Sequence, residues 1–304
     1  MPRGRLLKIG GVNAITYSRP RTVSDAIDLL GSTGARPFAG GTDLLIQLRG
    51  GARRAEHLVD VKDIDELGSL EYSDAGGLRL GAAVPCWRLG DSAEVRRRYP
   101  GLVESAELIG STQIQSRATI GGNLCNSSPA ADTTPALIAI GARCVIAGPS
   151  GRREVAVEDF VTAPGQNVLG HGELLVELRA PPPGPATADC YRRLIPRNEM
   201  DIAVVGVGAQ VRLDGERCTA ARIGLGAVAA TPLVARAAAE AIVGRVLDDA
   251  ALAAAAAAAR AAARPISDMR GTIEYRREVV GVLTRRVIAE AARRAGSRGE
   301  ERTR

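Results

Sequence analysis

The sequence predicts an α+β protein in which two small N-terminal α/β units precede a C-terminal domain of three-stranded antiparallel sheet with a helical bundle. Three observations carry that prediction. A strand–helix–strand pattern occupies the chain up to Val61. The run Pro181-Pro182-Pro183-Gly184-Pro185 breaks regular structure and marks a boundary between folding units. Beyond it, three apolar strand-like runs with an Asp214-Gly215 turn are followed by Ala-rich helical stretches. A chain of 304 residues exceeds one small core, and the expected units are 14–64, 65–180 and 186–295.

In order along the chain, residues 1 to 13 read as an unstructured lead-in. Thr22 is a helix N-cap with Asp25 three residues on, and Val23, Ala26, Ile27 and Leu30 follow at helical spacing until Gly31 ends the run. Residues 36–39 and 58–61 are short strands, with an apolar segment at 44–48 between them. Residues 65–87 alternate strand-like pieces, 78–82 being the clearest, and Leu102, Val103, Ala106 and Ile109 mark a helix running toward Ile114. Residues 130–142 are helical after Pro135, which suits a first helical turn, so Asp132 lies near a helix N-terminus. Residues 143–147, 154–157 and 174–178 are strands; in the last, Leu174, Val176 and Leu178 face one way and Leu175, Glu177 and Arg179 the other. The meander strands are 190–194, 202–213 and 220–228. Thr231-Pro232 opens a helix to about Val243, a second covers 248–263, and a third begins after Gly271 with Val279, Val280, Leu283 and Val287 on one side. The charged tail from Gly296 reads as disordered.

Composition removes several function classes. The charge of +6 comes mostly from scattered arginines, and with aromatics at 3% there is no basic, aromatic-interleaved surface for nucleic acid. Cys86, Cys125, Cys144, Cys190 and Cys218 lie far apart without a C-x-x-C, and His57 and His171 are the only histidines, so no metal site is expected. Buried, reduced thiols are the expected state, with Cys125 a small packed residue. Trp87 reads as core. No apolar run reaches membrane-span or signal-peptide length, and a cytoplasmic location is expected.

The chemistry concentrates at two glycine pairs, Ala39-Gly40-Gly41-Thr42-Asp43 and Thr119-Ile120-Gly121-Gly122-Asn123, each placed where a strand gives way to a turn. Glycine permits positive φ and lets a ligand approach the main chain, and successive amides in such turns form an anion-binding concavity suited to a diphosphate. Taken alone, either pair is simply a tight turn. The hydroxyl and amide or carboxylate groups beside each pair add donors and acceptors for phosphate, ribose or flavin atoms. Neither pair forms G-x-G-x-x-G or a P-loop.

These two motifs with Asp132, together with Asp201-Ile202-Ala203, Ser267-Asp268-Met269-Arg270-Gly271 and Tyr275-Arg276, resemble the FAD-binding medium subunit of molybdenum hydroxylases of the carbon monoxide, xanthine and nicotine dehydrogenase types. The resemblance runs from about Ile15 to Ala295. It implies PCMH-type FAD-binding subdomains, with Ala39, Gly40, Gly41, Thr42, Asp43, Thr119, Ile120, Gly121, Gly122 and Asn123 around the FAD diphosphate. It places Asp132 on a polar part of the cofactor, Ile109 and Leu175 at apolar contacts, and Arg193 where relatives carry a lysine near the flavin. No side chain is implied in acid–base catalysis. Implied partners are a large molybdopterin-binding subunit and a small [2Fe–2S] subunit, assembled as a dimer of heterotrimers, with electrons leaving the clusters through FAD to an external acceptor. Gln115-Ser116 and Cys125-Asn126 depart from the usual pattern. Asp201 reads as a loop-terminating acceptor, and Asp268 to Gly271 as a turn before the last helix. The alternative is a stand-alone FAD-dependent reductase or oxidase of the same fold.

Overall fold

The computed structural model describes residues 5–7 and 15–303. Arg5–Leu7 forms β1 and pairs antiparallel with β2 (Ile15–Ser18), so part of the expected lead-in is an edge strand, and the rest lies outside the described residues. Helix α1 (Val23–Leu30) starts as expected, the Thr22 hydroxyl accepting the Asp25 amide at 3.1 Å. Then follow β3 (Ala35–Phe38), α2 (Leu44–Arg49) and β4 (His57–Asp60). The order is β1-β2-β4-β3, and β2 and β3 both run parallel to the central β4.

The second unit contains α3 (Asp65–Gly68), β5 (Leu70–Ser73), β6 (Gly77–Gly81), α4 (Trp87–Asp91), α5 (Ala93–Arg98), α6 (Pro100–Glu107), α7 (Thr112–Gln115), α8 (Ile120–Asn126) and α9 (Thr133–Ala139). The single helix expected toward Ile114 is therefore two, separated at Gly110, which takes φ +56°. Trp87 opens α4 and is about half exposed, which corrects its expected place in the core. The strands are β7 (Arg143–Gly148), β8 (Gly151–Ala156), β9 (Val161–Ala163), β10 (Gln166–Asn167) and β11 (Leu174–Ala180), with an antiparallel sheet ordered β5-β6-β11-β7-β8.

In β11 the expected alternation fails at Leu178. A bulge between Leu175 and Glu177 inserts Val176 as an extra residue, so Leu174 and Val176 pack toward the first unit while Leu175, Leu178 and Ala180 enter the core of the second. Both faces of this central strand are buried, and its one acidic residue, Glu177, is held by Arg79 at 2.7 Å and Arg179 at 3.2 Å.

The third unit is the antiparallel sheet β12 (Thr187–Leu194), β13 (Val205–Asp214), β14 (Arg217–Gly226) and β15 (Leu233–Val234), followed by α10 (Arg236–Glu240), α11 (Asp249–Ala262) and α12 (Ile273–Thr303). The three-stranded sheet thus gains a two-residue edge. Thr231-Pro232 leads into that edge strand and not into a helix, because Leu233 and Val234 pair with Leu225 and Gly224. Asp248 caps α11 through the Ala251 amide at 2.7 Å. The turn expected before the last helix is present: Asp268 and Gly271 exchange backbone bonds at 3.1 and 3.2 Å. The charged tail is helical, and Arg298 donates to the Thr187 carbonyl at 2.6 Å, so an anchored side chain replaces the expected disorder.

Glycine and valine alternate along β13 for a packing reason. Val205, Val207, Ala209 and Val211 are buried in the core shared with α11 and α12. On the opposite face, a Cβ at Gly208 or Gly224 would stand 2.6 or 2.4 Å from the Pro135 carbonyl oxygen, so only bare backbone lets α9 lie on the sheet. The second and third units are also tied by charge: Glu104 on α6 pairs with Arg294 and accepts the Tyr191 amide at 2.9 Å.

Asp189 on β12 completes this junction. Its Oδ2 accepts the Leu102 amide at 3.2 Å, serving the first turn of α6, whose own N-cap residue, Tyr99, makes no side-chain capping bond. Burial pushes its pKa up to about 7, against the opposing pull of Arg298. The folded state therefore keeps the proton to higher pH than the unfolded chain, and stability is lost as pH rises from about 4 toward about 7. In Asp189→Asn, the decline in unfolding free energy between about pH 5 and pH 7 is expected to flatten by on the order of 2 kcal/mol. Denaturant titrations across that window check this, and parallel curves for the two proteins would refute it. Among the described residues no helix is long and apolar enough to cross a membrane.

Candidate cofactor cleft

The first glycine motif leaves β3 and turns into α2. Gly41 takes φ +77°, and a Cβ there would lie 2.5 Å from the Phe38 ring. Gly40 is required by contact: its Cβ would stand 2.0 Å from the Arg117 carbonyl oxygen, on the backbone just before Thr119. The two motifs therefore touch, main chain to main chain. The amides of Gly40, Gly41, Thr42 and Asp43 donate to no acceptor among the described residues. Four successive free donors on one wall of a cleft form the kind of concavity that an anion fills.

The second motif differs from the expected turn. Thr119 is the N-cap of α8, its hydroxyl accepting the Gly122 amide at 2.9 Å, and neither glycine has positive φ. Both glycines are needed for space. A Cβ on Gly121 would sit 2.5 Å from the Ala82 carbonyl oxygen, whereas Gly122 is exposed and its Cβ would meet only the Thr119 hydroxyl at 2.8 Å. Asn126 stitches the two motifs: its Nδ2 donates to Asp43 at 3.2 Å and its Oδ1 accepts from Gln47 at 2.8 Å. Burial raises the Asp43 carboxyl above its ordinary range.

Between these motifs and residues 165–175 lies a cleft of about 680 Å³. Arg53 spans from the first unit to the Gly165 carbonyl at 3.1 Å, and Asn167 donates to the Cys125 carbonyl at 3.0 Å. Ala39, Gly40, Gly41, Thr42, Asp43, Ile109, Thr119, Gly121, Gly122, Asn123 and Leu175 all line it. Ile120 does not; it is fully buried in the core of the second unit, because the helical turn directs it away from its glycine neighbours. Cys125 is at the cleft, with its thiol pushed up to about 12 by burial, so it is held as the neutral group. Gln47, Arg53 and Asn167 escaped the sequence reading, and Asn126 entered it only as a departure from the family's usual pattern. Gly165, Gly170 and Gly172, in the polar stretch between strands, were the available signal for this third wall.

Asp132 and Arg193 lie outside the cleft lining and meet each other. Asp132 precedes α9, accepts Tyr191 Oη at 2.8 Å, and pairs with Arg193 Nη1 at 2.5 Å. The Arg193 side chain is nearly inaccessible and its Nε has no partner among the described residues. Burial, partly offset by Arg193, raises the Asp132 pKa to about 6. Tyr191 stays protonated, its pKa raised well above the ordinary value by burial and by Asp132. The cluster connects to the cleft through Thr133, the next residue, whose hydroxyl donates to Asn123 at 2.7 Å.

Residues 13–183 match the family described as the FAD binding domain in molybdopterin dehydrogenase, and residues 190–291 match the CO dehydrogenase flavoprotein C-terminal domain. The chain belongs to the FAD-binding medium subunits of the molybdenum hydroxylases. Its relatives include the carbon monoxide dehydrogenase medium chain of Afipia carboxidovorans, 36% identical over 92% of this chain and 97% of that one. The xanthine dehydrogenase FAD-binding subunit of Escherichia coli O157:H7 is 33% identical over 93% of this chain and 98% of its own. A crystal structure of Cu,Mo-CO dehydrogenase superposes with a TM-score of 0.89 at 35% identity, covering 94% of this chain and 100% of that one. Quinoline 2-oxidoreductase from Pseudomonas putida 86 gives 0.87 at 31% identity, over 94% and 99% of the two chains. As a medium subunit of this family the chain is an oxidoreductase component whose cofactor is FAD. The cleft fits that cofactor: it holds about 680 Å³, is lined by unpartnered amides, and is apolar at Ile109 and Leu175.

Proposed function

We propose that this chain is the FAD-carrying electron-transfer subunit of a heteromeric molybdenum-containing dehydrogenase, with the FAD diphosphate held between Ala39 to Asp43 and Thr119 to Asn123. The observation that carries this reading is the row of free amides at residues 40–43, on the wall of the cleft that the start of α8 also lines. Those amides donate to phosphate oxygens; Thr42 and Thr119 supply hydroxyls; and the Asn126 bridge to Asp43 and Gln47 holds the two motifs in register. Ile109 and Leu175 give the aromatic parts of the cofactor an apolar bed, and Leu175 is set by the bulge in β11. Asp132 and Arg193 act as one near-neutral pair that fixes the approach of β12 to α9, and Thr133 passes that placement to Asn123. FAD supplies the redox chemistry, accepting single electrons and delivering pairs. The residues of this chain bind, orient and exclude water.

In this reading a large molybdopterin-binding subunit oxidises the substrate, and a small [2Fe–2S] subunit conducts electrons to this chain, in a cytoplasmic dimer of heterotrimers. Isolation from the native host tests it. The expected preparation contains this chain with stoichiometric FAD, two further subunits, iron and molybdenum. A monomer that turns over with FAD alone would overturn the subunit assignment.

A further inference from the structure

Basic residues number 40, and all but Lys8 and Lys62 are arginine. A chain so biased toward arginine places its one described lysine at a site where the shape of the cation matters. Lys62 Nζ lies 2.6 Å from Asp60 Oδ1, 3.1 Å from the Ala39 carbonyl oxygen, and 4.3 Å from the centre of the Phe38 ring. These three partners diverge from one point, which suits a compact ammonium with three donors and not a planar guanidinium fork.

We infer that Lys62 is a positioning residue for cofactor binding, which holds the first glycine motif in its binding shape through the Ala39 carbonyl and the Phe38 ring. The inference rests on the proposed placement of FAD at this motif. In a planar trans peptide the Ala39 C=O and the Gly40 N–H point in opposite directions. Fixing the carbonyl on Lys62 therefore aims the Gly40 amide away from it, and that amide is the first of the free donors on the cleft wall. The Phe38 ring under the ammonium is the same ring that a Cβ on Gly41 would strike at 2.5 Å, so the cation braces the loop at two consecutive glycines. Lys62 does not line the cleft, and its action is indirect.

Its own charge is set by the groups around it. Asp60 is buried and also accepts Tyr17 Oη and the Lys62 amide at 3.1 Å, and Arg19 lies 3.9 Å away. Arg117, on the backbone that Gly40 touches, adds repulsion. Burial with these cations outweighs Asp60 and lowers the lysine pKa below its ordinary value.

The test compares the full chain with Lys62→Met and Lys62→Arg, reading FAD dissociation by flavin fluorescence and apoprotein stability by thermal unfolding. One charge-assisted hydrogen bond corresponds to on the order of tenfold in affinity. Both variants are expected to bind FAD about tenfold more weakly, Lys62→Arg with little change in apoprotein unfolding because Asp60 keeps a cation. In the wild type alone, FAD affinity is expected to fall as pH rises through the lysine's titration. Wild-type affinity in either variant overturns the inference; for Lys62→Arg that result would mean that any cation suffices. Should Lys62→Met fail to fold, the arginine variant still decides. Gly122→Val run beside them separates the two failures: wild-type FAD affinity there as well overturns the proposed placement, whereas lost binding in Gly122→Val with wild-type affinity in the Lys62 variants overturns this inference alone.

Discussion

Gly122→Val is expected to abolish FAD binding while the apoprotein stays folded, losing only about 1 kcal/mol for the disturbed Thr119 cap. Gly122 is exposed at the cleft and its Cβ would meet only the Thr119 hydroxyl at 2.8 Å, so the valine side chain projects into the space assigned to the cofactor. The neighbouring glycine gives the control. A Cβ on Gly121 would be 2.5 Å from the Ala82 carbonyl oxygen and 2.6 Å from the Ala82 Cβ, both part of the packed wall beneath α8. Gly121→Val is therefore expected to destabilise the fold itself, by about 3 kcal/mol or more. Circular dichroism with flavin absorption of the purified variants separates the two outcomes. Stoichiometric FAD in folded Gly122→Val would refute the placement of the cofactor against α8.

Asp132→Ala is the second large effect, with an expected loss of about 3–5 kcal/mol in unfolding free energy. The reason is what it leaves behind. Arg193, with a side chain only 4% exposed, loses its carboxylate partner, and Tyr191 Oη loses its acceptor in the same step. An unpaired buried cation costs more than the ion pair contributes, so the double variant Asp132→Ala with Arg193→Leu is expected to regain most of the loss. Denaturant unfolding of the two single variants and the double variant measures the coupling. Additive losses would show that the pair is not the unit argued here.

Much of the fold was legible because local rules and tertiary packing agree. Thr22 with Asp25 starts α1 and forms the expected cap, and α11 begins where the residues placed it, its start capped by Asp248. The Asp214-Gly215 turn joins two long antiparallel strands, with one register shift between Arg212 and Leu213. Sequence reasoning failed where a distant contact decided a local shape. Leu178 changed face because a bulge in β11 let Ala82 bond the Val176 carbonyl at 2.8 Å. Thr231-Pro232, a good helix start by residue type, leads instead into an edge strand, because β14 offered unpaired backbone. The tail from Gly296 continues the helix because Arg298 reaches the Thr187 carbonyl.

At the cleft the same division holds. Residue types and spacing sufficed to pick out Ala39 to Asp43, Thr119 and Gly121 to Asn123, the resemblance to a flavoprotein family rested in part on them, and that resemblance in turn implied Ile109 and Leu175; all of these line the cleft. Those features are local: glycines are required wherever backbone must approach backbone, and that requirement is written in the residue type. Three things belong to the tertiary structure. Ile120 faces the core, since the second glycine pair begins a helix and does not form a turn. Asp132 and Arg193, which the resemblance implies as separate cofactor contacts, join across 61 positions into one buried pair with Tyr191. Asn126 and Gln47 close the two motifs onto each other across 79 positions. The first follows from a local cap, the Thr119 hydroxyl on the Gly122 amide; the other two share one physical reason, that a hydrogen-bond or ion-pair partner contributed by another element has no sequence period, and only folding brings it within bonding distance.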